Sequence, residues 1–326
     1  MPQMRAVTQN QPGGVDTLQI TQVERPEPAA HQLLVKVAAS GINRADLAQR
    51  EGNYPPPPGE SLIMGMEISG VVESVGSAVE GFSVGQRVFG LIGGGGYAEY
   101  ALLDARLALP TPEHLTDIDA ASLPETWMTV WFNLVELGQL RQGQRVLIHA
   151  GASGIGSAGI QLCKSYGAWV AVTAGGRDKC AYCRDLGADL AIDYHEQEFE
   201  NVLKQQGGVD LILDTVGGDY LPRNQACLNA DGQIIVIGML RGPMAQANMG
   251  QLLVKRQTVR GSTLRSQPIE AKARIVRGLR EHVLPGLDAG SLRVTIDKTF
   301  AAEDVAQAHQ HVADGGNRGK VVLVWS

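Results

Sequence analysis

The chain has 326 residues, 44% of them apolar and 19% charged, with a formal net charge of -6. That length exceeds one small core and fits two domains, with enough apolar residues to fill both. The acidic balance lacks the basic footprint of a dedicated nucleic-acid binder, so nucleic acid is not an expected partner. The opening Met1-Pro2-Gln3-Met4-Arg5 has no apolar run of a secretory signal, and no later segment offers a long uncharged stretch. The expectation is a cytoplasmic protein that makes no membrane span. Cys163, Cys180, Cys183 and Cys227 stand apart from any histidine cluster, and reduced thiols are expected rather than a disulfide framework.

Short β-rich runs separated by glycine and proline open the chain: Leu33 to Val37, Ile68 to Val75, Val84 to Leu91 and Tyr97 to Leu103. They predict a compact, mostly antiparallel β domain. A helix is predicted over Asn43 to Glu51. The following Tyr54-Pro55-Pro56-Pro57-Pro58-Gly59 cannot continue it and reads either as a rigid spacer or as part of a site. Gly93 to Gly96 is expected to form a hairpin turn.

From Thr116 the texture changes. A helical segment Asp119 to Leu137 leads into strand and helix alternation that persists to about Arg265. The candidate strands are Arg145 to His149, Trp169 to Thr173, Leu190 to Asp193, Val209 to Asp214, Gln233 to Gly238 and Val259 to Thr263. Six parallel strands make a complete Rossmann sheet. A helix near Ile269 to His282, a strand at Val294 to Ile296, a helix at Ala302 to Val312 and a strand at Lys320 to Val324 are expected to rejoin the first domain. The predicted fold class is α/β: a β-rich domain at 1–123 and 266–326, and a doubly wound domain at 124–265.

The strand Arg145 to His149 runs straight into Ala150-Gly151-Ala152-Ser153-Gly154-Ile155-Gly156-Ser157-Ala158-Gly159, with a helix predicted over Ile160 to Tyr166. In that context the glycines allow a tight turn and a close approach to a pyrophosphate, and the helix N-terminus offers N–H groups and positive dipole. Gly151, Ser153, Gly154, Ile155 and Gly156 are the candidate contacts. The competing reading is a turn needed only for strand–helix packing. At the end of the next strand, where NAD enzymes usually place an acid, stand Thr173, Ala174, Gly175 and Gly176. Small neutral residues leave room for a 2′-phosphate, and Arg177 and Lys179 just beyond neutralise it, so NADPH is the expected cofactor. Asp178 reads as a first-turn helix acid. Cys180 and Cys183 have redox-motif spacing but no supporting context, and His309 and His311 read as surface or satisfied core histidines.

The segments Asn43-Arg44-Ala45-Asp46-Leu47, Tyr54 to Gly59, Gly65-Met66-Glu67-Ile68-Ser69-Gly70, His149 to Gly156 and Gly319-Lys320-Val321-Val322 carry a resemblance to a known family. Over essentially its whole length the chain resembles the medium-chain dehydrogenase/reductase superfamily, in its zinc-free NADPH:quinone oxidoreductase branch. The resemblance implies a GroES-like catalytic domain beside the Rossmann domain. Zinc-containing members hold the metal through a Cys where Asn43 stands and a His where Met66 stands, and zinc favours thiolate and imidazole. No metal is therefore expected. Without a Lewis acid, a quinone or other conjugated carbonyl accepts a hydride far more readily than an ordinary ketone.

By the same resemblance, Asn43, Asp46, Tyr54 and Thr129 line a cleft between the domains. Tyr54 is implied as an orienting or proton-donating hydroxyl and Asn43 as a hydrogen-bond donor. Asp46 reads alternatively as a brace for its helix, and Glu67 as structural. Tyr194 is implied beside the adenosine phosphate, with Gly238, Met239, Leu264 and Asn317 flanking the nicotinamide half. Hydride transfer and one-electron reduction of quinones both remain open. So do reduction of enone or enal double bonds, and an NADPH-responsive binding protein, whose RNA-binding form the low basic content disfavours. Relatives pair the last Rossmann strand across a two-fold axis, so a homodimer through Val259 to Thr263 is expected.

Overall fold

A computed structural model describes residues 2–325 of the chain. The chain divides into two compact units, Met1–Met128 with Arg265–Ser326, and Thr129–Leu264. In the first unit, β1 (Gln3–Thr8) and β2 (Gln19–Glu24) form an antiparallel pair, followed by β3 (Gln32–Ile42), α1 (Arg44–Arg50), β4 (Glu67–Val75), β5 (Arg87–Leu91), β6 (Tyr100–Asp104), β7 (Ala108–Pro110), α2 (Asp117–Ala121) and the start of α3 (Pro124–Val130), which passes into the second unit at Thr129. The second unit contains β8 (Arg145–Ile148), α4 (Gly154–Ser165), β9 (Trp169–Ala174), α5 (Arg177–Asp185), β10 (Leu190–Asp193), α6 (Phe199–Gln205), β11 (Val209–Asp214), α7 (Tyr220–Cys227), β12 (Leu228–Val236), α8 (Met249–Val254) and β13 (Thr258–Gly261). The chain then returns to the first unit with α9 (Ile269–Gly278), α10 (Leu284–Asp288), β14 (Ile296–Ala301), α11 (Val305–Ala313) and β15 (Lys320–Val324).

In the first unit the main sheet runs β14-β15-β3-β4-β5-β7, with β6 also paired to β3. All of its pairs are antiparallel except β14 with β15. β3 is long and almost wholly buried because it pairs with three partners. This unit also holds two small buried clusters, one of Met4, Ala6 and Ala98 and one of Ala39, Ala121 and Val322.

In the second unit a six-stranded parallel sheet has the order β10-β9-β8-β11-β12-β13, the doubly wound arrangement with its topological switch between β8 and β11. Its central strands are apolar runs, buried on both faces as helix-covered parallel strands must be. Leu147, Ile192, Phe199, Leu203, Ile212 and Ile234 anchor the core between sheet and helices. α4 and α5 each stop at a glycine in the left-handed region, Gly167 at φ 71° and Gly187 at φ 105°, which lets the chain turn back into the next strand.

Four local expectations change. Gly93 to Gly96 does not join paired strands, since β5 pairs with β4 and β7 while β6 pairs with β3. The run instead packs under neighbouring backbone, and a Cβ on Gly94 would lie 2.4 Å from Ser61 O. The helical segment Asp119 to Leu137 breaks at Pro124, which starts α3, and continues as π-helical turns over Trp131–Leu137. The helix expected from Ile160 begins at Gly154, capped by the Ser153 hydroxyl, so the glycines themselves form its first turns. The tail strand expected at Val294 to Ile296 begins at Ile296 and runs on to Ala301, where β15 supplies its partner.

Candidate functional site

In the second unit, β8 ends at Ile148 and the chain turns through Ala150, which takes φ 53°, a left-handed conformation that is uncommon outside glycine. Ser153 Oγ accepts from Gly156 N at 3.1 Å, so the hydroxyl caps the start of α4. The glycines have distinct reasons. A Cβ on Gly156 would lie 2.3 Å from Gly151 O and 2.5 Å from Ala150 O, and one on Gly151 would lie 2.6 Å from Val172 Cβ. Only bare backbone lets the helix start that close to the turn, and the N–H groups of such a first turn, here around Gly154 and Ile155, are the kind that can serve an anion.

Beneath the turn lies a buried relay that sequence reading missed. Thr173 Oγ1 and His149 Nδ1 are 2.9 Å apart, His149 Nε2 is 2.8 Å from Asn224 Oδ1, and Asn224 Nδ2 donates to Asp214 Oδ2 at 3.0 Å. Asp214 Oδ1 then accepts from Val216 N and Gly217 N. Because Asn224 gives its Nδ2 to Asp214, its Oδ1 must accept from His149 Nε2, and a neutral ring then accepts from the Thr173 hydroxyl at Nδ1. Burial depresses its pKa, consistent with that form. The relay ties the carboxyl ends of β8, β9 and β11 together where ligands of doubly wound sheets bind.

At the end of β9, Gly175 lies under Tyr194: a Cβ on Gly175 would be 2.6 Å from Tyr194 Oη. Gly176, at φ 90°, precedes α5, whose first turn carries Arg177, Asp178 and Lys179. Arg177 is exposed, with Glu196 at 3.9 Å. Asp193 Oδ1 accepts from Gly176 N and from His195 N, both at 3.1 Å, which hold the pKa of the carboxyl down. Tyr194 is partly exposed and its ring leans on His195 with centroids 4.5 Å apart. Gly238 packs against Thr215, where a Cβ would meet the carbonyl at 2.5 Å, and Met239 beside it is exposed. Leu264 is buried at the end of this unit. A turn of bare backbone, a capped helix start and a β9 end that carries no acid of its own suit a dinucleotide with a 2′-phosphate.

The first unit holds Asn43, Asp46, Tyr54 and Asn317, whereas Thr129 opens the second. Asn43 and Asp46 are brought together at the start of α1: Asp46 Oδ2 accepts from Asn43 N at 2.8 Å and Oδ1 from Gly65 N at 3.1 Å. Burial raises the Asp46 carboxyl to about 6. The Asn43 amide is held internally, Nδ2 donating to Glu67 Oε1 at 2.8 Å and Oδ1 accepting from Lys320 Nζ at 2.6 Å. Glu67 is wholly buried, and Lys320 completes its donor set on Glu67 Oε1 and Ile42 O while Glu125 N serves the other Glu67 oxygen. An ammonium thus sits among Asn43, Glu67 and backbone, an ion pair with no local signature in the chain. Asn317 donates from Nδ2 to Gly319 O at 2.8 Å, and the Thr129 carbonyl accepts from Asn133 Nδ2.

Other candidates settle into structure. Burial pushes the Cys183 thiol up to about 12, far from a reactive thiolate, and all four cysteines are buried and unpaired. His309 lies in the core between Arg50 and Tyr97, and His311 pairs with Asp297 at 2.7 Å. Among the described residues, no three His, Cys, Asp or Glu side chains gather as a metal-binding group, and no helix is long and apolar enough to cross a membrane.

Comparison with known proteins matches two family models, an alcohol dehydrogenase GroES-like domain over residues 29–113 and a zinc-binding dehydrogenase over 154–277. The chain is 30% identical over 317 residues to a phenolphthiocerol/phthiocerol polyketide synthase of Mycobacterium tuberculosis, covering 96% of this chain but only 14% of that protein. It is 30% identical over 327 residues to the quinone oxidoreductase of Pongo abelii, covering 98% of each. Among solved structures, the quinone oxidoreductase of Pseudomonas syringae superposes with TM-score 0.88 at 27% identity, over 98% of this chain and 99% of that one. A mycobacterial protein solved with NADPH superposes with TM-score 0.89 at 27% identity, over the same shares. Whole-length identity to a quinone oxidoreductase, the paired domain matches and the sheet order together place this chain in the medium-chain dehydrogenase/reductase superfamily, in its quinone oxidoreductase branch.

Proposed function

We propose that the chain is a zinc-independent, cytoplasmic NADPH:quinone oxidoreductase that reduces quinones or other conjugated carbonyls. The observation that carries the cofactor reading is the end of β9, where Gly175 and Gly176 stand in place of a ribose-binding acid, Asp193 Oδ1 is taken by two backbone amides, and Arg177 and Lys179 open α5. The mycobacterial NADPH complex supports it. Zinc independence is supported by Asn43 and Met66, neither of which supplies thiolate or imidazole. NADPH supplies the hydride, and the net reaction takes up one proton as a quinone becomes a hydroquinone. Tyr54 supplies that proton, or the hydrogen bond that precedes it, to the carbonyl oxygen that gains the electron pair, and recovers it from solvent.

An acceptor panel with NADPH and NADH, with radical products monitored, tests this. Quinones are expected to be turned over faster than enones, after dialysis against chelator, with NADPH bound at least about tenfold more tightly than NADH. The double variant R177A/K179A is expected to lose about 1–3 kcal/mol of NADPH binding with little change for NADH. Equal affinities for the two cofactors in the wild type would refute the 2′-phosphate reading. Faster enone turnover would make the protein a double-bond reductase, and tight NADPH binding without any turnover would make it a binding protein.

We also propose a homodimer through the edge of the parallel sheet. Every residue of β13 is exposed, and α8 beside it leaves Met249, Leu253 and Val254 at 68%, 78% and 75% exposure. An open strand edge with an apolar helix next to it invites pairing with a second copy. Light scattering is expected to give a dimer mass for the wild type and a single-chain mass for L253D; a wild-type monomer at micromolar concentration would end the proposal.

A further inference from the structure

We propose that Arg265 is the positioning residue of Tyr54, clamping the Tyr54 loop and holding a positive charge beside the phenol ring. This deepens the reading of Tyr54 as the hydroxyl that serves the acceptor, and rests on it. Arg265 begins the return segment of the first unit and is 6% exposed. Its guanidinium carbon lies 5.4 Å from the Tyr54 ring centroid, and Nη1 donates to Tyr54 O at 3.4 Å. The other donors fix the guanidinium itself: Nε and Nη2 donate to Gly93 O at 2.9 and 2.6 Å, and Nη2 also donates to Gln49 Oε1 at 2.8 Å. Gln49 then donates from Nε2 to Leu62 O at 3.1 Å, so the Arg265 and Gln49 pair grips the proline-rich loop at both ends. Lys272 Nζ, donating to Arg265 O at 2.7 Å, fixes the backbone from which the guanidinium reaches.

The fork geometry of arginine lets one side chain hold a carbonyl, an amide and an aromatic face at once, which lysine cannot reproduce. The charges facing Tyr54 are Arg265 and Glu125. Burial is the largest influence and raises the phenol pKa, Arg265 lowers it and Glu125 raises it. Arg265 itself faces Asp46, Tyr54 and Glu60, with Lys272 beside it. Arg265 therefore does two separable things: it places the ring, and it offsets part of the cost of the developing phenolate when the proton leaves.

The test combines a double-mutant cycle with a tyrosinate absorbance titration read as the difference from Y54F. R265M is expected to lower kcat about tenfold to a hundredfold, the scale of a displaced catalytic group, to move Tyr54 ionisation to higher pH, and to add nothing in a Y54F background. R265K keeps the charge and loses the fork, so it is expected to retain the titration while losing rate. Should R265M fail to fold, R265K and R265K/Y54F carry the cycle. Multiplying effects of the Arg265 and Tyr54 replacements, or equal loss from R265K and R265M with an unmoved titration, would overturn the proposal. A wild type that turned over no acceptor would remove the function assigned to Tyr54, while the titration would still decide whether Arg265 governs it.

Discussion

Replacing Lys320 by methionine is expected to be the most damaging single change outside the cofactor turn, at about 3–5 kcal/mol, with a fall in Tm on the order of 10 °C. The reason lies in what stays behind. Glu67 is fully buried and shares one oxygen between Lys320 and Asn43, with the other on Glu125 N. Without the ammonium, the carboxylate remains in the core with two amide donors and no countercharge, and Asn43 Oδ1 loses its 2.6 Å partner. Breaking one half of a buried pair leaves an uncompensated charge, whereas removing both charges is far less costly. The double variant K320M/E67Q is accordingly expected to recover most of the loss, because the neutral amide that replaces the carboxylate leaves no charge behind and its oxygen still accepts from one of the two remaining donors. Urea unfolding of the three proteins measures this. Equal stability of K320M and wild type, or a double variant no better than the single, would show that the pair does not hold β15 to β3 and β4.

G156A is expected to be the largest effect in the cofactor turn. The added methyl would lie 2.3 and 2.5 Å from two carbonyl oxygens, and neither is a side chain that can swing aside. The start of α4 must lift off the turn. We expect a loss of about 1–3 kcal/mol in stability, the usual scale of overpacking, together with a fall in NADPH affinity of about tenfold or more because the first-turn amides no longer converge. G175A gives the contrast. Its methyl meets Tyr194 Oη at 2.6 Å and His195 Nε2 at 3.0 Å, both ends of side chains that can turn. It is expected to keep stability within about 0.5 kcal/mol and to weaken NADPH binding alone. Calorimetric titration and thermal unfolding of both variants separate the cases; if G156A bound NADPH like the wild type, close backbone approach would not be the reason for that glycine.

What was legible in the sequence was what is local. The apolar strand running into glycine and helix, the small residues after β9 and the alternation of strands and helices each leave a pattern within a short window, and the parallel sheet appears with all six strands where periodicity put them, give or take their ends. The start of β12 shifted from Gln233 to Leu228, because Asn229 to Gly232 look like a turn in the sequence. The parts that were illegible join distant residues. Glu67 and Lys320 are 253 positions apart, Arg265 and Gln49 216, and His149 and Asn224 75. No spacing rule links such residues, so the internal commitments of Asn43 and the grip of Arg265 on the Tyr54 loop emerge only from the fold. Gly93 to Gly96 misled for the same reason: a hairpin is a local guess, and the partner of β6 is β3.

The place of β15 has a consequence for how the molecule is made. This strand lies inside the sheet of the first unit, between β14 and β3, yet it follows the entire second unit in the chain. During synthesis the parallel sheet can close on itself while the Ala39–Ile42 end of β3 still lacks its partner, and Glu67 waits without its ammonium until residue 320 emerges. Completion of the first unit is thus the closing event of folding, and contacts of such long sequence separation form slowly. A nascent chain stalled before β15 would leave Ala39–Ile42 of β3 without their strand partner, a short open edge that chaperone holding at that stage would cover.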